Sequence, residues 1–461
     1  MNIFLSILAG LLLVLSFPPF SIDLLIWIAL LPLFFAIQAT SIRESLNLGA
    51  ITGLVFFGGT LYWFHRIFLF GLTSLGFIGL LSLSFAIFCA LLKFFQRRAR
   101  SLSLMVIAPI LWVAVESLRS DHWPLGFPWM QLGYSQFQRI PLIQIASLVG
   151  VSGLSYLIVL VNSSLYNLIK TWRLSPRRAS LPLLFVALLL TTGLVWGNKV
   201  SSIEESTNIK VAAVQDESFD LERLEKLTQE AALVQPDIIV WPELSCYPHF
   251  VLDEPGLYNR LSSLAKRSKA YLIIGSLDKV EGAKLGSYYN TALLLSPKGT
   301  LVGKYHKVHP VQFTKGVVPG KKITCHDTRF GKIGIQICYD SDYNDVSRKL
   351  IREGAEMLFV PNLDPIRWGR VQHLQHSAMT LFRAVENRRW VLRAASSGAS
   401  QIIDPYGRVL HSLGIGDVGV LVGSIARRRE LSIFTRFGFA FPYLCQATVV
   451  ALFAIIGMKK T

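Results

Sequence analysis

Residues 332–340 read Lys-Ile-Gly-Ile-Gln-Ile-Cys-Tyr-Asp, an alternating β-branched run that ends in a cysteine and a polar turn. Six further short runs rich in β-branched residues flank it: Ile209–Val214, Asp237–Val240, Tyr271–Ile274, Thr291–Leu295, Met357–Val360 and Val391–Ala395. Each reads as a strand. Between them lie polar stretches with helical spacing, at about 219–234, 256–268, 343–353 and 371–388. Strand–helix alternation with continuously apolar strands predicts an α/β domain over 208–425 whose sheets are covered by helices.

The rest of the chain has another character. Of 461 residues, 52% are hydrophobic and 16% charged, against about 25% charged in ordinary soluble domains. Mean hydropathy is +0.46. This composition excludes disorder and argues against a wholly soluble protein. Apolar runs close to the ~20 residues that cross a bilayer occur at 2–18, 23–40, 47–65, 72–94, 103–119, 141–168 and 180–197, with an eighth at 439–457. The first lacks a basic flank and is followed at once by another run, so it reads as a span and not a cleaved signal. The organisation expected is therefore a seven-helix membrane domain over 1–200, the α/β domain, and an eighth helix with a short basic tail over 435–461.

The net charge of +17 belongs with membrane flanks and not with nucleic acid. Arg43, the run Gln96-Arg-Arg-Ala-Arg100, the group Lys170, Arg173, Arg177 and Arg178, and the terminal Lys459 and Lys460 all fall on one side of an eight-span chain. The alternate loops, near 18–22, 66–71 and 120–140, are poor in Lys and Arg. The positive-inside rule then places both termini in the cytoplasm and 208–425 outside. The five cysteines are widely spaced with no Cys-x-x-Cys pair, so neither a zinc site nor a disulfide framework is indicated.

Three residues at strand ends could do chemistry. Cys338 closes its run; Glu243 follows another in Val240-Trp-Pro-Glu243; Lys307 lies in Gly303-Lys-Tyr-His-Lys-Val-His309. Taken singly they read as a buried thiol, a turn carboxylate and a surface lysine. Together they offer a nucleophile, a base to activate it and a cation for a developing oxyanion.

Trp-Pro-Glu, Lys-x-His and Ile-Cys-Tyr-Asp, in that order, resemble the Glu-Lys-Cys triad of the nitrilase, or carbon–nitrogen hydrolase, superfamily. The strings Gly126-Phe-Pro-Trp-Met-Gln-Leu-Gly-Tyr-Ser-Gln136, Ser16-Phe-Pro-Pro-Phe20 and Thr435-Arg-Phe-Gly438 resemble those of the apolipoprotein N-acyltransferase family. That resemblance implies a multi-span α-helical membrane domain plus a nitrilase-like four-layer αββα sandwich, in a bacterial inner membrane with the catalytic domain periplasmic. It implies ping-pong acyl transfer without a cofactor or metal. Glu243 would act as base, Cys338 as thioester nucleophile and Lys307 as oxyanion donor. Trp241, Tyr339, Asp340, Trp129 and Trp368 would contact substrate. The donor would be a phospholipid, the acceptor the α-amine of a diacylglyceryl-cysteine on an apolipoprotein, and the enzyme a monomer.

The chain departs from the family pattern in places. Where the family carries a second glutamate beyond the lysine, Lys315 stands in Phe313-Thr-Lys-Gly316, and no glutamate occurs between 308 and 352. Pro361-Asn-Leu-Asp-Pro-Ile-Arg-Trp-Gly369 keeps Asn362, Trp368 and Gly369 of a longer motif. The stretch from Lys307 to Cys338 is also short. Two rival readings follow: an anchored amidohydrolase in which water takes the acyl group, and an inactive paralogue that binds lipid or lipoprotein, which Lys315 favours. A transporter fits poorly, because the spans lack paired intramembrane charges. His373 and His376 read as packing residues, since a metal needs three protein ligands. Arg383, Glu386 and Arg393 read as scaffold. Glu116 is expected to pair with Arg119 at i+3, and Cys246 reads either as a packing residue or as a thiol near the site open to oxidation.

Overall fold

The computed structural model describes residues 1–67, 71–99, 102–121, 126–284 and 286–458. Arg100, Lys459 and Lys460, and parts of two loops read as outer (68–70 and 122–125), lie outside the described residues. The chain divides into two compact units, Ile203–Arg436 and the remainder, Met1–Ser202 with the segment from Phe437.

Among the described residues the unit Ile203–Arg436 contains twelve strands. They are β1 (Ile209–Gln215), β2 (Ile238–Val240), β3 (Tyr271–Lys279), β4 (Tyr288–Leu295), β5 (Leu301–His306), β6 (Cys325–Thr328), β7 (Gly331–Ile335), β8 (Met357–Asn362), β9 (Val391–Ala395), β10 (Gln401–Ile403), β11 (Val409–Ser412) and β12 (Gly419–Ile425). They form two six-stranded sheets, ordered β12-β1-β2-β3-β4-β5 and β11-β10-β9-β8-β7-β6. Each sheet has a parallel centre (β1-β2-β3 and β7-β8-β9) and antiparallel edges. The centre strands are buried along their length because each is covered on both faces.

The helix Leu221–Ala232, capped by Asp220, and the helix Pro255–Ser268 cover the first sheet. Leu224, Leu227, Leu261 and Leu264 pack there on Val214, Ile239 and Leu272. Asn344–Arg352 and Arg370–Asn387 cover the second sheet, and β1 meets β9 across the interface. The result is the four-layer αββα sandwich of the nitrilase fold. All seven strands and four helices expected from sequence are present. The added strands are mostly antiparallel edges: β11 is exposed throughout and so lacks a continuous apolar run.

The other unit is helical. Among the described residues, four helices are by length and composition able to cross a membrane: Leu72–Arg98, Val151–Thr171, Ser180–Ser201 and Ala440–Met458. The runs read at 47–65 and 103–119 form Ile42–Thr60 and Leu104–Ser120, and the first run forms the 14-residue Asn2–Leu15. Gly49 and Gly53 let Ile42–Thr60 lie against Gly71–Arg98, since a Cβ on Gly49 would stand 2.4 Å from the Phe85 carbonyl oxygen.

Two expected spans are not single helices. The run at 23–40 breaks into a 3-10 turn, Asp23–Trp27, and a short helix, Leu31–Ala36. Asn162 fills the break: its Oδ1 accepts from the Leu30 N–H (2.9 Å) and its Nδ2 donates to the Ile26 carbonyl (2.9 Å). A broken backbone is tolerable in an apolar setting only when protein groups satisfy it in this way. The run at 141–168 is divided into Ile140–Ile143, Ala146–Val149 and Val151–Thr171, with Gly150 at φ 73°.

The expected Glu116–Arg119 pair is also replaced by other partners. Glu116 accepts from Trp112 Nε1 (3.0 Å) and the Leu132 N–H (2.9 Å). Arg119 donates to the carbonyls of Phe127 (2.7 Å) and Trp129 (2.9 Å). One turn of helix thus pins both ends of the 126–132 string.

Candidate active site

The parallel strands of each sheet end at one edge of the sandwich, and the loops leaving them carry the polar residues. Glu243 leaves β2, Lys307 leaves β5, Cys338 leaves β7, and Leu363 and Asp364 leave β8. The first two belong to one sheet and the others to the facing sheet, so the site is built across the interface.

Glu243 and Lys307 are each only 4% exposed and form an ion pair of 2.6 Å. The same oxygen, Oε1, accepts from Asn290 Nδ2 at 2.6 Å, and Oε2 accepts from the Leu363 N–H at 2.9 Å. Three donors therefore fix the carboxylate in direction. Burial works against the Lys307 charge, but Glu243, helped by Cys338 and Asp340, holds its pKa well above the usual lysine range.

Cys338 begins a 3-10 turn, Cys338–Asp342, at φ 48°. A left-handed backbone costs a non-glycine residue about 1–2 kcal/mol, and here it marks the sharp exit from β7. Sγ lies 3.8 Å from the Leu363 carbonyl oxygen. Burial, with Glu243, Asp364 and Asp342 adding to it and Lys307 opposing, pushes the thiol well above its usual pKa. The resting group therefore keeps its proton, and attack needs a base beside it.

Asp340, expected to contact substrate, is bonded within the protein on both oxygens. It is wholly buried. Oδ1 accepts from the N–H groups of Val308 (3.1 Å) and His309 (2.7 Å), and Oδ2 from the Tyr305 hydroxyl (2.9 Å) and the Ile337 N–H (3.0 Å). With these four bonds made, it ties the segment bearing Lys307 to the turn bearing Cys338 and is placed as a positioning residue. Trp241 is wholly buried and donates from Nε1 to Thr228 Oγ1 at 2.7 Å. Tyr339 is buried, accepting from the Tyr343 hydroxyl at 3.3 Å. Trp368 is partly exposed at the end of the Ile366–Trp368 turn. Trp129 belongs to the helical unit, packed against Trp63 with ring centroids 5.0 Å apart.

Lys315 is exposed, so the residue that breaks the family pattern does not share the buried position of Lys307. Cys246 is wholly buried, and burial pushes its thiol up to about 12, which fits the packing reading of it better than the oxidisable one. Arg383 and Glu386 pair at 3.0 Å inside the scaffold.

Sequence reasoning missed a polar layer behind Cys338. Asp364 accepts from Asn362 Nδ2 (2.7 Å), Gln372 Nε2 (3.1 Å), His376 Nδ1 (2.7 Å) and the Arg393 guanidinium. No spacing in the chain links residues from a loop, a helix and a strand, although Asn362 and Arg393 had been singled out separately. Cys338, Asp364 and His376 place one potential ligand atom each within 4.8 Å of one another. Arg393 and Lys307 put two fixed positive charges beside that trio, which disfavours a cation there.

Residues 9–164 match the model of the apolipoprotein N-acyltransferase N-terminal domain, and 210–430 match carbon-nitrogen hydrolase. Apolipoprotein N-acyltransferase of Geobacter metallireducens is 34% identical, covering 99% of this chain and 95% of that protein. The chain belongs to the apolipoprotein N-acyltransferase family. The Photobacterium profundum enzyme of that name is 25% identical over 95% of this chain and 91% of its own length. Among solved structures, a member of branch 10 of the nitrilase superfamily from Saccharomyces cerevisiae is 25% identical, covering 49% of this chain and 93% of its own, at a TM-score of 0.40.

Proposed function

We propose that the protein transfers a fatty acyl chain from a membrane phospholipid to the α-amine of the N-terminal diacylglyceryl-cysteine of apolipoproteins. In the first half, Glu243 takes the thiol proton as Sγ attacks the ester carbonyl. Lys307, with one N–H on Glu243, turns the others to the oxyanion. The lysophospholipid leaves with the proton and a thioester stays on Cys338. In the second half the amine attacks the thioester, Glu243 takes its proton, and as the C–S bond breaks that proton passes to Sγ, restoring the Cys338 thiol and the carboxylate. The basic loops favour a periplasmic site with cytoplasmic termini in an inner membrane. The protein acts as a monomer, and Tyr339, Trp368 and Trp129 contact substrate.

The observation that carries this reading is the buried Glu243–Lys307 pair beside a protonated Cys338 in a chain with apolar spans. Intact-mass measurement after incubation with phospholipid tests it. An acyl adduct on Cys338, discharged by an apolipoprotein peptide bearing the diacylglyceryl-cysteine, is the expected result. Discharge by water alone would favour the amidohydrolase, and no adduct would favour a binding paralogue.

A further inference from the structure

We infer that His376 is a positioning residue that clamps the nucleophile's turn to the loop that orients the base. His376 lies on the helix Arg370–Asn387, only 2% exposed, between two buried aspartates. Nδ1 is hydrogen-bonded to Asp364 Oδ1 at 2.7 Å, whereas Nε2 faces Asp342 Oδ1 at 3.0 Å as an ion-pair contact without hydrogen-bond alignment. Asp342 is the last residue of the turn that Cys338 begins. Asp364 adjoins Leu363, whose N–H donates to Glu243 Oε2 at 2.9 Å and whose carbonyl oxygen lies 3.8 Å from Cys338 Sγ. One ring therefore joins the two loops whose spacing sets the approach of thiol to carboxylate.

Only the doubly protonated ring carries an N–H on each nitrogen and the positive charge that pairs with both aspartates, by a hydrogen bond to Asp364 and by charge alone to Asp342. Asp342 faces it from the turn after β7 and Asp364 from the loop after β8. Arg393, from β9, stands 3.4 Å from Nδ1, His373 adjoins on the same helix, and Cys338 lies within 4.8 Å. Lys307 and Glu243 lie beyond Cys338, whose charge they both feel. Burial opposes the imidazolium, and Asp342 and Asp364 overcome it, raising its pKa to about 9. A histidine so raised is fully clamped below its ordinary pKa of about 6.5 and releases as pH rises through about 9. The neutral ring keeps one N–H and turns a lone pair to the other aspartate, so the two loops lose their tie.

The inference rests on Cys338 as nucleophile. It predicts an unusual direction: thioester formation falls as pH rises past about 9, whereas thiol ionisation by itself would make it rise.

The test uses the full chain in detergent micelles with phosphatidylethanolamine, reading the Cys338 adduct by intact mass between pH 6 and about 10, a window bracketing the ordinary and raised histidine values. The wild type should show a reversible alkaline fall below its unfolding range. Asp342→Asn should move that fall down by about one unit or more, because one of the two charges that hold the imidazolium is gone. His376→Gln should be at least about tenfold slower at neutral pH and lose the fall, on the linkage argument above. A wild-type profile that climbs or stays level to pH 10 overturns the inference, even if His376→Gln fails to fold. So does an alkaline fall unmoved in Asp342→Asn. An adduct that persists in Cys338→Ala overturns the nucleophile assignment instead, whatever the pH profile.

Discussion

Replacing Lys307 by methionine removes the charge that faces Glu243 and keeps most of the side-chain volume. The pair is 2.6 Å long with both side chains 4% exposed, so the carboxylate left behind is buried. It still accepts from Asn290 and the Leu363 N–H, but neither donor carries a charge. Breaking such a pair from one side costs about 3–5 kcal/mol. For a domain of this size about 2–4 °C of Tm accompanies each kcal/mol, so the drop should be roughly 6–20 °C. The double variant Lys307→Met with Glu243→Gln removes the stranded charge and should recover most of the loss. Thermal unfolding in detergent measures this directly. Thioester formation should fall by about 10²–10³-fold in Lys307→Met, as for loss of an oxyanion donor, and should not return in the double variant. If the single and double variants unfold together, close to wild type, the pair is not buried as described and the argument fails.

Other expectations follow from the same site. Cys338→Ala should give no acyl adduct by mass, and Cys338→Ser only a slow one, because a hydroxyl ionises far less readily than a thiol. Asp340→Ala leaves three backbone N–H groups and the Tyr305 hydroxyl without this acceptor, so stability should fall by at least about 4 kcal/mol at about 1–3 kcal/mol per buried group. Lys315→Glu should leave the rate on zwitterionic lipid no faster. On anionic vesicles it should lower activity by roughly fivefold or more, at about 1 kcal/mol per surface cation. A reporter active only in the cytoplasm, inserted after Gly299, should be silent; activity there would reverse the assigned orientation.

The positions of Glu243, Lys307 and Cys338 at strand ends are legible in the sequence because each is signalled locally, by a strand that stops and a short motif that follows; the 2.6 Å Glu243–Lys307 pairing is not. The strands missed were short or exposed ones that pair antiparallel at the sheet edges, where no apolar run is needed. His376 was read as packing because its partners, Asp342 and Asp364, lie on other elements. Asp340 and Trp241 were assigned to substrate because a motif shows which residues recur together, not whether they face the cleft or the core. The spans at 23–40 and 141–168 were read as continuous because hydropathy registers apolar content and not backbone continuity. Gly150, and the turn before Leu31, interrupt helices without interrupting apolarity.

The junction at Asn162 bears on how the protein is made. The segment 23–36 leaves the ribosome well before Asn162, 132 residues ahead as counted from Leu30. Until that amide arrives, the Leu30 N–H and the Ile26 carbonyl have no partner supplied by the finished fold. Apolar surroundings do not supply one, and each unmet group there costs several kcal/mol. The early segment must therefore wait near water or against the insertion machinery while Ile42–Thr60, Gly71–Arg98, Leu104–Ser120 and the chain up to Asn162 are synthesised. Its final placement is a late assembly step, and a chain truncated before residue 162 should leave it exposed to protease.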